Sequence, residues 1–514
     1  MDLINLLLSI VLFAICLLEF LIKIFSCCAI LCSCKEEKTV TEERPNILVL
    51  MSDNHYSGHL SSNGDKSVKT PAIDEIAANG VQFTNAFCAS PSCTPARGAM
   101  LTGQEIWRLG EGANLWSTFP DSIPTYQEIL EGVGYFTGHD RKGWGPGDYK
   151  AGGRDKNPAG ETFENFDEFL DKNPKKKPWS YFLSSRNPHR PFKYGAGKEL
   201  GINIDSIFVP PYLPDSYEVR MDIADYYAAI MAFDNEVAEA IRLLEDNGMV
   251  ENTIIVICGD NGWMMPRGLG NLYDFGTKVP LIISWPKTIH GGRAVSDFVS
   301  LNDLAATFLE YAGEEIPEVM TARSLKDILM SNEGGRINKA FDHVFVARER
   351  HALVRKNGLG YSGRGIRTDD FLYIHNHQPD RWPAGDPPLF GDIDGHMLQY
   401  YSPAKEYMME HKEDPNVKDL YRQAFLKRPE EELFDLRNDP FQMNNVAYLD
   451  EYKDTRNRLS KELKTYLVKT EDPRETEKKI IWDTATYFEE NDWIGKPRKE
   501  AQEKFNLDSI YSYK

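Results

Sequence analysis

The sequence predicts an α/β fold: a large domain built on a parallel sheet, followed by a smaller domain. Residues 47–51 and 253–258 are continuous apolar runs, which is typical of strands buried on both faces of a parallel sheet. Residues 220–247 between them carry apolar side chains at helical spacing. After about residue 340, shorter apolar segments indicate a small antiparallel sheet before a final helix at about 449–468.

Length and charge exclude some classes of protein. A chain of 514 residues is long enough for one large domain and a smaller one. Its formal net charge of −19 argues against a general nucleic-acid-binding protein. The same charge repels polyanions at long range, so an anion-binding site would have to be a local basic pocket.

The N-terminus predicts export. Residues 3–33 are strongly apolar, and residues 31–34 (LCSC) resemble a bacterial lipobox with Cys34 as the lipidated residue. An N-terminal transmembrane anchor is the alternative. We expect a leader over 1–33, a tether over 34–44, and a membrane-anchored lipoprotein that is periplasmic or on the cell surface.

The cysteines do not form a disulfide framework. Five of the eight lie within residues 1–34, which leaves Cys88, Cys93 and Cys258 in the body of the chain. A Cys88–Cys93 bridge is an alternative, and it would block any chemistry at Cys93.

Two predicted strands end in the same dipeptide. The first is followed by Asp53-Asn54 and the second by Asp260-Asn261. Ligands bind beyond the carboxyl ends of parallel strands, so these four side chains are expected to meet there. They would form an all-oxygen site suited to Ca²⁺, or to Mg²⁺. A pair of ordinary turns is the alternative.

A loop that becomes a helix follows the predicted strand at 81–87. Pro95 suits a first helical turn, which places Cys93 at or just before the helix N-terminus and Arg97 one turn later. Free backbone N–H groups favour an anion there. A buried structural cysteine is the alternative.

Two further cationic candidates follow later predicted strands. Lys142 lies in a glycine-rich loop, and His189 lies between Pro188 and Pro191, which limit its backbone freedom. A solvated surface role is the alternative for each.

Residues 93–97 (CTPAR), followed by 101–103 (LTG), resemble the signature of the type I sulfatases. Residues 271–273 (NLY) are most similar to the sulfamidase-like branch of that family. The resemblance covers most of residues 44–450. It implies an alkaline-phosphatase-like α/β/α sandwich over 45–335 and a smaller C-terminal α+β subdomain over 340–470. Residues 471–514 remain a charged C-terminal extension without an assigned role.

The resemblance also implies the chemistry. A maturation enzyme would oxidise Cys93 to formylglycine, whose hydrate attacks sulfur; the covalent sulfate then leaves by elimination. Arg97 and Lys142 would hold the sulfate, and His189 would protonate the departing oxygen. The cation would be held by the modified Cys93 together with Asp53, Asn54, Asp260 and Asn261. Substrate recognition would involve Arg267, His351 and Arg364.

Three positions depart from the family pattern. Asn54 replaces a carboxylate, Trp144 stands where a histidine is expected, and Leu269 stands where a basic residue is expected. Because Trp144 and Leu269 depart from the sulfamidase pattern, we expect the substrate to be O-sulfated. With the predicted export, this indicates an exported sulfatase of sulfated polysaccharides or their oligosaccharides, with ulvan favoured over glycosaminoglycans. A phosphomonoester or phosphonate hydrolase of the same fold, or an inactive surface glycan-binding protein, is the alternative.

Overall fold

The computed structural model describes residues 2–31, 44–174, 177–393, 402–476 and 478–488. The chain forms two units, residues 1–43 and 44–514. The first contains one helix, α1 (Asp2–Leu31). Judged by length and apolar character, no helix among the described residues meets the requirements for crossing a membrane. Cys34 and most of the predicted tether lie outside the described residues.

The second unit is organised around a sheet of eight strands. Its spatial order is β4-β3-β5-β1-β6-β7-β2-β8. Only β7 runs antiparallel to its neighbours within this sheet. The strands are β1 (Asn46–Ser52), β2 (Val81–Phe87), β3 (Phe136–Asp140), β4 (Glu161–Phe163), β5 (Trp179–Ser184), β6 (Thr253–Gly259), β7 (Leu281–Ser284) and β8 (Arg293–Ser300).

Helices cover both faces of this sheet. They are α2 (Pro71–Ala78), α3 (Cys93–Thr102), α4 (Tyr126–Gly132), α5 (Phe166–Lys172), α6 (Ala196–Glu199), α7 (Tyr217–Asp246), α8 (Asp274–Thr277), α9 (Asp303–Tyr311) and α10 (Lys326–Met330). Alternate residues of β1 point to opposite faces. Val49 packs in the core that holds α3 and α9, and Leu50 packs in the core that holds α2 and α7. The α/β/α sandwich predicted from the sequence is confirmed.

A smaller antiparallel sheet follows, in the order β12-β11-β10-β9. Its strands are β9 (His343–Arg348), β10 (Gly363–Thr368), β11 (Phe371–Asn376) and β12 (Glu431–Asp435), accompanied by α11 (Pro403–Glu410), α12 (Lys418–Phe425) and α13 (Lys453–Lys469). Apolar residues of α13 join the same core as Ile366 of β10 and Tyr373 of β11. The Ala347 N–H of β9 donates to the Ala89 carbonyl at 2.8 Å, which connects this sheet to the loop before α3.

The chain after α13 packs back onto the body of the protein. Trp482 is buried, and its Nε1 donates to the Gly110 carbonyl at 2.8 Å. Asn114 Nδ2 donates to the Trp482 carbonyl at 2.9 Å. The predicted charged extension is therefore part of the folded unit as far as residue 488; residues 489–514 lie outside the described residues.

Candidate active site

Cys93 is the first residue of α3, with Ser92 as the extended N-cap residue. Its side chain is buried, and Sγ lies 3.4 Å from Asp53 Oδ1 and 3.6 Å from Asn261 Nδ2. All three thiols in the body, on Cys88, Cys93 and Cys258, are free. The alternative Cys88–Cys93 bridge is therefore wrong, and the Cys93 thiol is not used in a disulfide.

The ends of β1 and β6 meet beside Cys93, as their Asp-Asn pairs predict. The two strands are paired in parallel up to Ser52 and Gly259. Asn54 N–H donates to Asp260 Oδ1 at 2.9 Å, so the two dipeptides contact each other directly. Asn54 has a φ of 68°, a left-handed conformation that asparagine tolerates better than most residues.

The donor set fits a hard divalent cation. One ligand atom from each of Asp53, Cys93 and Asp260 lies within 4.8 Å of the others. Asn261 Oδ1 is buried, and no group among the described residues hydrogen-bonds to it. An unsatisfied buried carbonyl oxygen beside two carboxylates is what a cation site requires. These oxygens, with Asn54 Oδ1, match Ca²⁺ or Mg²⁺ better than a softer metal.

Two cationic side chains face the same carboxylates. Arg97 Nε lies 2.8 Å from Asp260 Oδ2, and Lys142 Nζ lies 2.7 Å from Asp53 Oδ2. Burial raises the pKa of Asp53, but the charges of Lys142, His189 and Arg97 outweigh it and hold that pKa well below its usual value. Burial and the charge of Asp53 raise the pKa of Asp260 instead. A cation bound between Asp53 and Asp260 would therefore favour the ionised form of both carboxylates.

One nitrogen of the Arg97 guanidinium is not used in any hydrogen bond with the described residues. Its NH1 donates to the Gly143 carbonyl at 2.9 Å and to Ser184 Oγ. Its NH2 is buried and makes no hydrogen bond to any described residue, although Asp53 Oδ2 lies 3.7 Å away. This unused guanidinium N–H, near the start of α3, can donate a hydrogen bond to an oxygen of a tetrahedral anion.

The loop that carries His189 is fixed from both sides. Asp53 N–H donates to the Asn187 carbonyl at 2.9 Å, and Arg190 makes a bidentate pair with Asp222 of α7 at 2.7 Å for each bond. His189 Nδ1 contacts the Arg190 carbonyl. Burial lowers the pKa of His189, partly offset by the charge of Asp53. The mutual electrostatic effect of His189 and Asp53 places the imidazole close to the cluster, and burial favours its neutral form.

His351 lies beside the site rather than in the cluster of charges. Its Nδ1 lies 2.9 Å from Ser92 Oγ, and burial lowers its pKa to about 4, so the ring is neutral. The contact joins the loop after β9 to the residue before Cys93. Its predicted role in substrate recognition stays a prediction.

Arg267 and Arg364, predicted to recognise substrate, are both buried and held by internal partners, which argues against that role. Arg267 is buried, donates to the Gln442 carbonyl, and packs its guanidinium 4.1 Å from the ring centre of Tyr273. Arg364 is fully buried, with Nε 2.6 Å from Asp472 and NH2 2.7 Å from Glu349. The guanidinium donors of these two arginines, which were expected to bind substrate, instead bind internal carboxylates or carbonyls.

Replacing Arg364 by alanine should reduce stability rather than substrate affinity. The change leaves two buried carboxylates without their shared partner, which costs roughly 3–5 kcal/mol in unfolding free energy. Urea unfolding measures this, and Arg242→Ala, at an exposed pair with Asp246, is the control. A raised KM with unchanged stability would return Arg364 to substrate binding.

The structure explains both departures from the family pattern in this region. Trp144 is buried against Phe119, with ring centres 5.3 Å apart, and its backbone N–H donates to Asn157 Oδ1 at 3.0 Å. Leu269 is buried, and its N–H donates to the Trp263 carbonyl at 2.8 Å. Both side chains pack in the interior, and the indole N–H of Trp144 makes no hydrogen bond with any described residue.

Sequence reasoning missed two polar contributors. Ser92 precedes Cys93 and shares a hydrogen bond with His351, and Ser184 ends β5 and binds Arg97. Ser184 carried a usable signal: it is a polar residue at the carboxyl end of the strand beside β1.

Comparisons with known proteins place this geometry in a family context. The Sulfatase family model matches residues 45–314, and the model for the C-terminal part of N-sulphoglucosamine sulphohydrolase matches residues 259–386. An ulvan-active sulfatase of Formosa agariphila is 27% identical, over 86% of this chain and 80% of that protein. The human N-sulphoglucosamine sulphohydrolase is 24% identical, over 84% and 91%.

Solved structures share the fold. A structure described as a complex with its substrate D-glucosamine-2-N,6-O-disulfate has a TM-score of 0.61 at 21% identity, covering 85% of this chain and all of that one. A phosphonate monoester hydrolase from Silicibacter pomeroyi has a TM-score of 0.62 at 16% identity, covering 83% and 96%. The fold is therefore common to sulfate and phosphonate ester hydrolases.

Proposed function

This protein belongs to the sulfatase family and is a sulfuric ester hydrolase; on that premise we propose that it removes sulfate esters from a sulfated polysaccharide or its oligosaccharides, using formylglycine formed from Cys93. Relatives named for ulvan, N-acetylglucosamine-6-O-sulfate and N-sulphoglucosamine support a sulfated sugar. We favour ulvan, with glycosaminoglycan fragments second.

One observation carries the proposal. Cys93 begins a helix among two carboxylates, two cationic side chains and an amide oxygen that no described group satisfies. A structural cysteine needs none of these neighbours. A nucleophile that attacks an anionic ester needs all of them, because negative charge must be both bound and neutralised.

Each side chain then has a definite task. Formylglycine at position 93 would supply the attacking oxygen, and Ca²⁺ or Mg²⁺ on the four Asp and Asn side chains would supply positive charge. Arg97 orients a sulfate oxygen through its unused N–H, and Lys142 adds charge on the side of Asp53. His189, held by the loop at Arg190, donates a proton to the sugar oxygen as it leaves.

Two measurements test the proposal. Mass spectrometry of the peptide containing Cys93 should show the aldehyde or its hydrate, and fully active enzyme with an unmodified thiol would refute it. Rates on aryl sulfate and aryl phosphate should favour the sulfate. The reverse preference would indicate a phosphate or phosphonate ester hydrolase, and retention of glycan without release of sulfate would indicate a binding protein.

Replacing His189 by alanine should slow sugar sulfates far more than aryl sulfates. A sugar alkoxide needs a proton to leave, so kcat should fall by about 10²–10⁴. A nitrophenolate leaves unprotonated, so 4-nitrophenyl sulfate should lose much less. His290→Ala, at an exposed histidine, is the control. Equal losses on both substrates would assign His189 to binding rather than proton transfer.

We also propose that the chain is exported and held to a membrane through lipid on Cys34. The apolar leader and the lipobox-like residues 31–34 support this. Replacing Cys34 by alanine should move the sulfatase activity from the membrane fraction to the soluble fraction. Cys32→Ala, two residues earlier, should leave it membrane-bound. Equal partitioning of both variants would contradict lipidation at Cys34.

A further inference from the structure

Two histidines and a glutamate cluster outside the active site. His375 belongs to β11, and His377 follows two residues later; their rings are 4.7 Å apart between centres. Glu475 comes from the segment after α13 that packs back onto the body. The cluster therefore joins the small sheet to the C-terminal part of the chain.

The distances approach those of a metal site. One ligand atom from each of the three side chains lies within 4.8 Å of the other two. His377 Nε2 and Glu475 Oε1 are 3.5 Å apart. The ligand atoms of a tetrahedral zinc site are about 3.3 Å apart. Small rotations of the three side chains would therefore bring their ligand atoms to these distances.

His377 has unmet hydrogen-bonding capacity. Both of its ring nitrogens are buried, and neither makes a hydrogen bond of acceptable geometry with any described residue. A buried polar atom without a hydrogen bond is destabilising, so a ligand that satisfies it is favoured. A lone pair donated to a metal satisfies one nitrogen, and Glu475 lies on the same side to complete the coordination.

We propose that His375, His377 and Glu475 bind one Zn²⁺ ion that fastens the C-terminal segment to the small sheet. Two imidazoles and a carboxylate are a ligand set that zinc takes with a fourth position left to water. Imidazole selects such borderline metals over Ca²⁺ and Mg²⁺. The ion is thus chemically distinct from the cation expected on the all-oxygen site beside Cys93.

The positively charged side chains near the cluster do not prevent a Zn²⁺ ion from binding there. Lys464 Nζ lies 3.8 Å from Glu475 Oε2, but its side chain is 70% exposed and can turn into solvent. Arg364 and Arg474 are both engaged by Glu349, at 2.7 Å and 2.8 Å. The positive charges near the cluster are therefore either paired or movable.

The test uses the full chain with saturating Ca²⁺, so that the oxygen site is filled. After removal of transition metals, Zn²⁺ is titrated against a chromophoric chelator, and thermal unfolding is followed with and without Zn²⁺. The wild-type chain should bind one tight Zn²⁺, and its Tm should rise, because an ion that binds only the folded state stabilises it.

His377→Gln and Glu475→Gln should weaken Zn²⁺ binding by about tenfold or more and lose the rise in Tm. His411→Gln, at an exposed histidine, should behave like wild type. Wild-type affinity in both cluster variants, or no stoichiometric Zn²⁺ on the wild type, would overturn the proposal. Should a variant fail to fold, anomalous scattering at the zinc edge from wild-type crystals decides: a peak between the three side chains supports the site, and a peak elsewhere refutes it.

Discussion

Replacing Cys93 by alanine is expected to lower sulfate release by at least about ten-thousandfold while the protein stays folded. The change removes the precursor of the nucleophile, and losses of that size follow when a covalent nucleophile is deleted. Cys93 Sγ contributes only weak polar contacts of 3.4–3.8 Å, so little stability depends on it. Sulfate release from a sulfated oligosaccharide, measured by ion chromatography, checks the prediction.

Cys88→Ala is the matched control for this variant. Cys88 is also buried and free, five positions earlier, and its thiol donates to the Ser90 carbonyl. It should keep most of the activity. Equal losses in the two variants would indicate damage to packing, and near-normal activity in Cys93→Ala would exclude covalent catalysis at this position.

Replacing Asp260 by asparagine is expected to lower activity by about a thousandfold or more, through loss of the cation. Asp260 supplies one of the two carboxylates at the oxygen site and is the partner of Arg97 at 2.8 Å. Chelation should inactivate the wild type, and added Ca²⁺ or Mg²⁺ should restore it. Added cation should not restore the variant; calorimetric titration should show weakened binding.

Asp297→Asn is the control, because Asp297 is equally buried but accepts backbone N–H groups of Ile337 and Asn338 outside the site. It should keep wild-type cation affinity. Wild-type affinity in Asp260→Asn as well would remove Asp260 from the cation site.

The stability of the cation-free protein and its affinity for the cation should both depend on pH. Burial and the charge of Asp53 raise the pKa of Asp260, so its carboxyl holds a proton more tightly in the folded state. Its contribution to stability therefore falls as pH rises from its ordinary pKa through the raised one. Cation and proton compete for the same oxygens, so cation affinity should weaken as pH falls through that raised pKa.

The parts of the fold that follow from local chemistry were predictable. Residues 81–87 form β2 with the predicted bounds, and the continuous apolar runs became β1 and β6 at the centre of the sheet. Parallel pairing of these strands then brought Asp53 and Asp260 together, as expected for polar residues at strand ends.

Arginine roles were not predictable in the same way. A buried arginine and one that binds substrate have identical sequence signals, because the difference lies in distant partners. Asp472, which holds Arg364, is 108 residues away along the chain. The contact between His351 and Ser92 spans 259 residues and likewise follows from the tertiary fold.

The burial of Cys93 bears on the order of events during biosynthesis. Its side chain is 1% exposed and is enclosed by residues from two strands and the start of its own helix. An enzyme that oxidises this thiol would need access to it, and burial in the folded protein denies that access. If Cys93 is converted to formylglycine as we propose, the oxidation would have to take place before folding buries the side chain, and the folded protein would resist later modification.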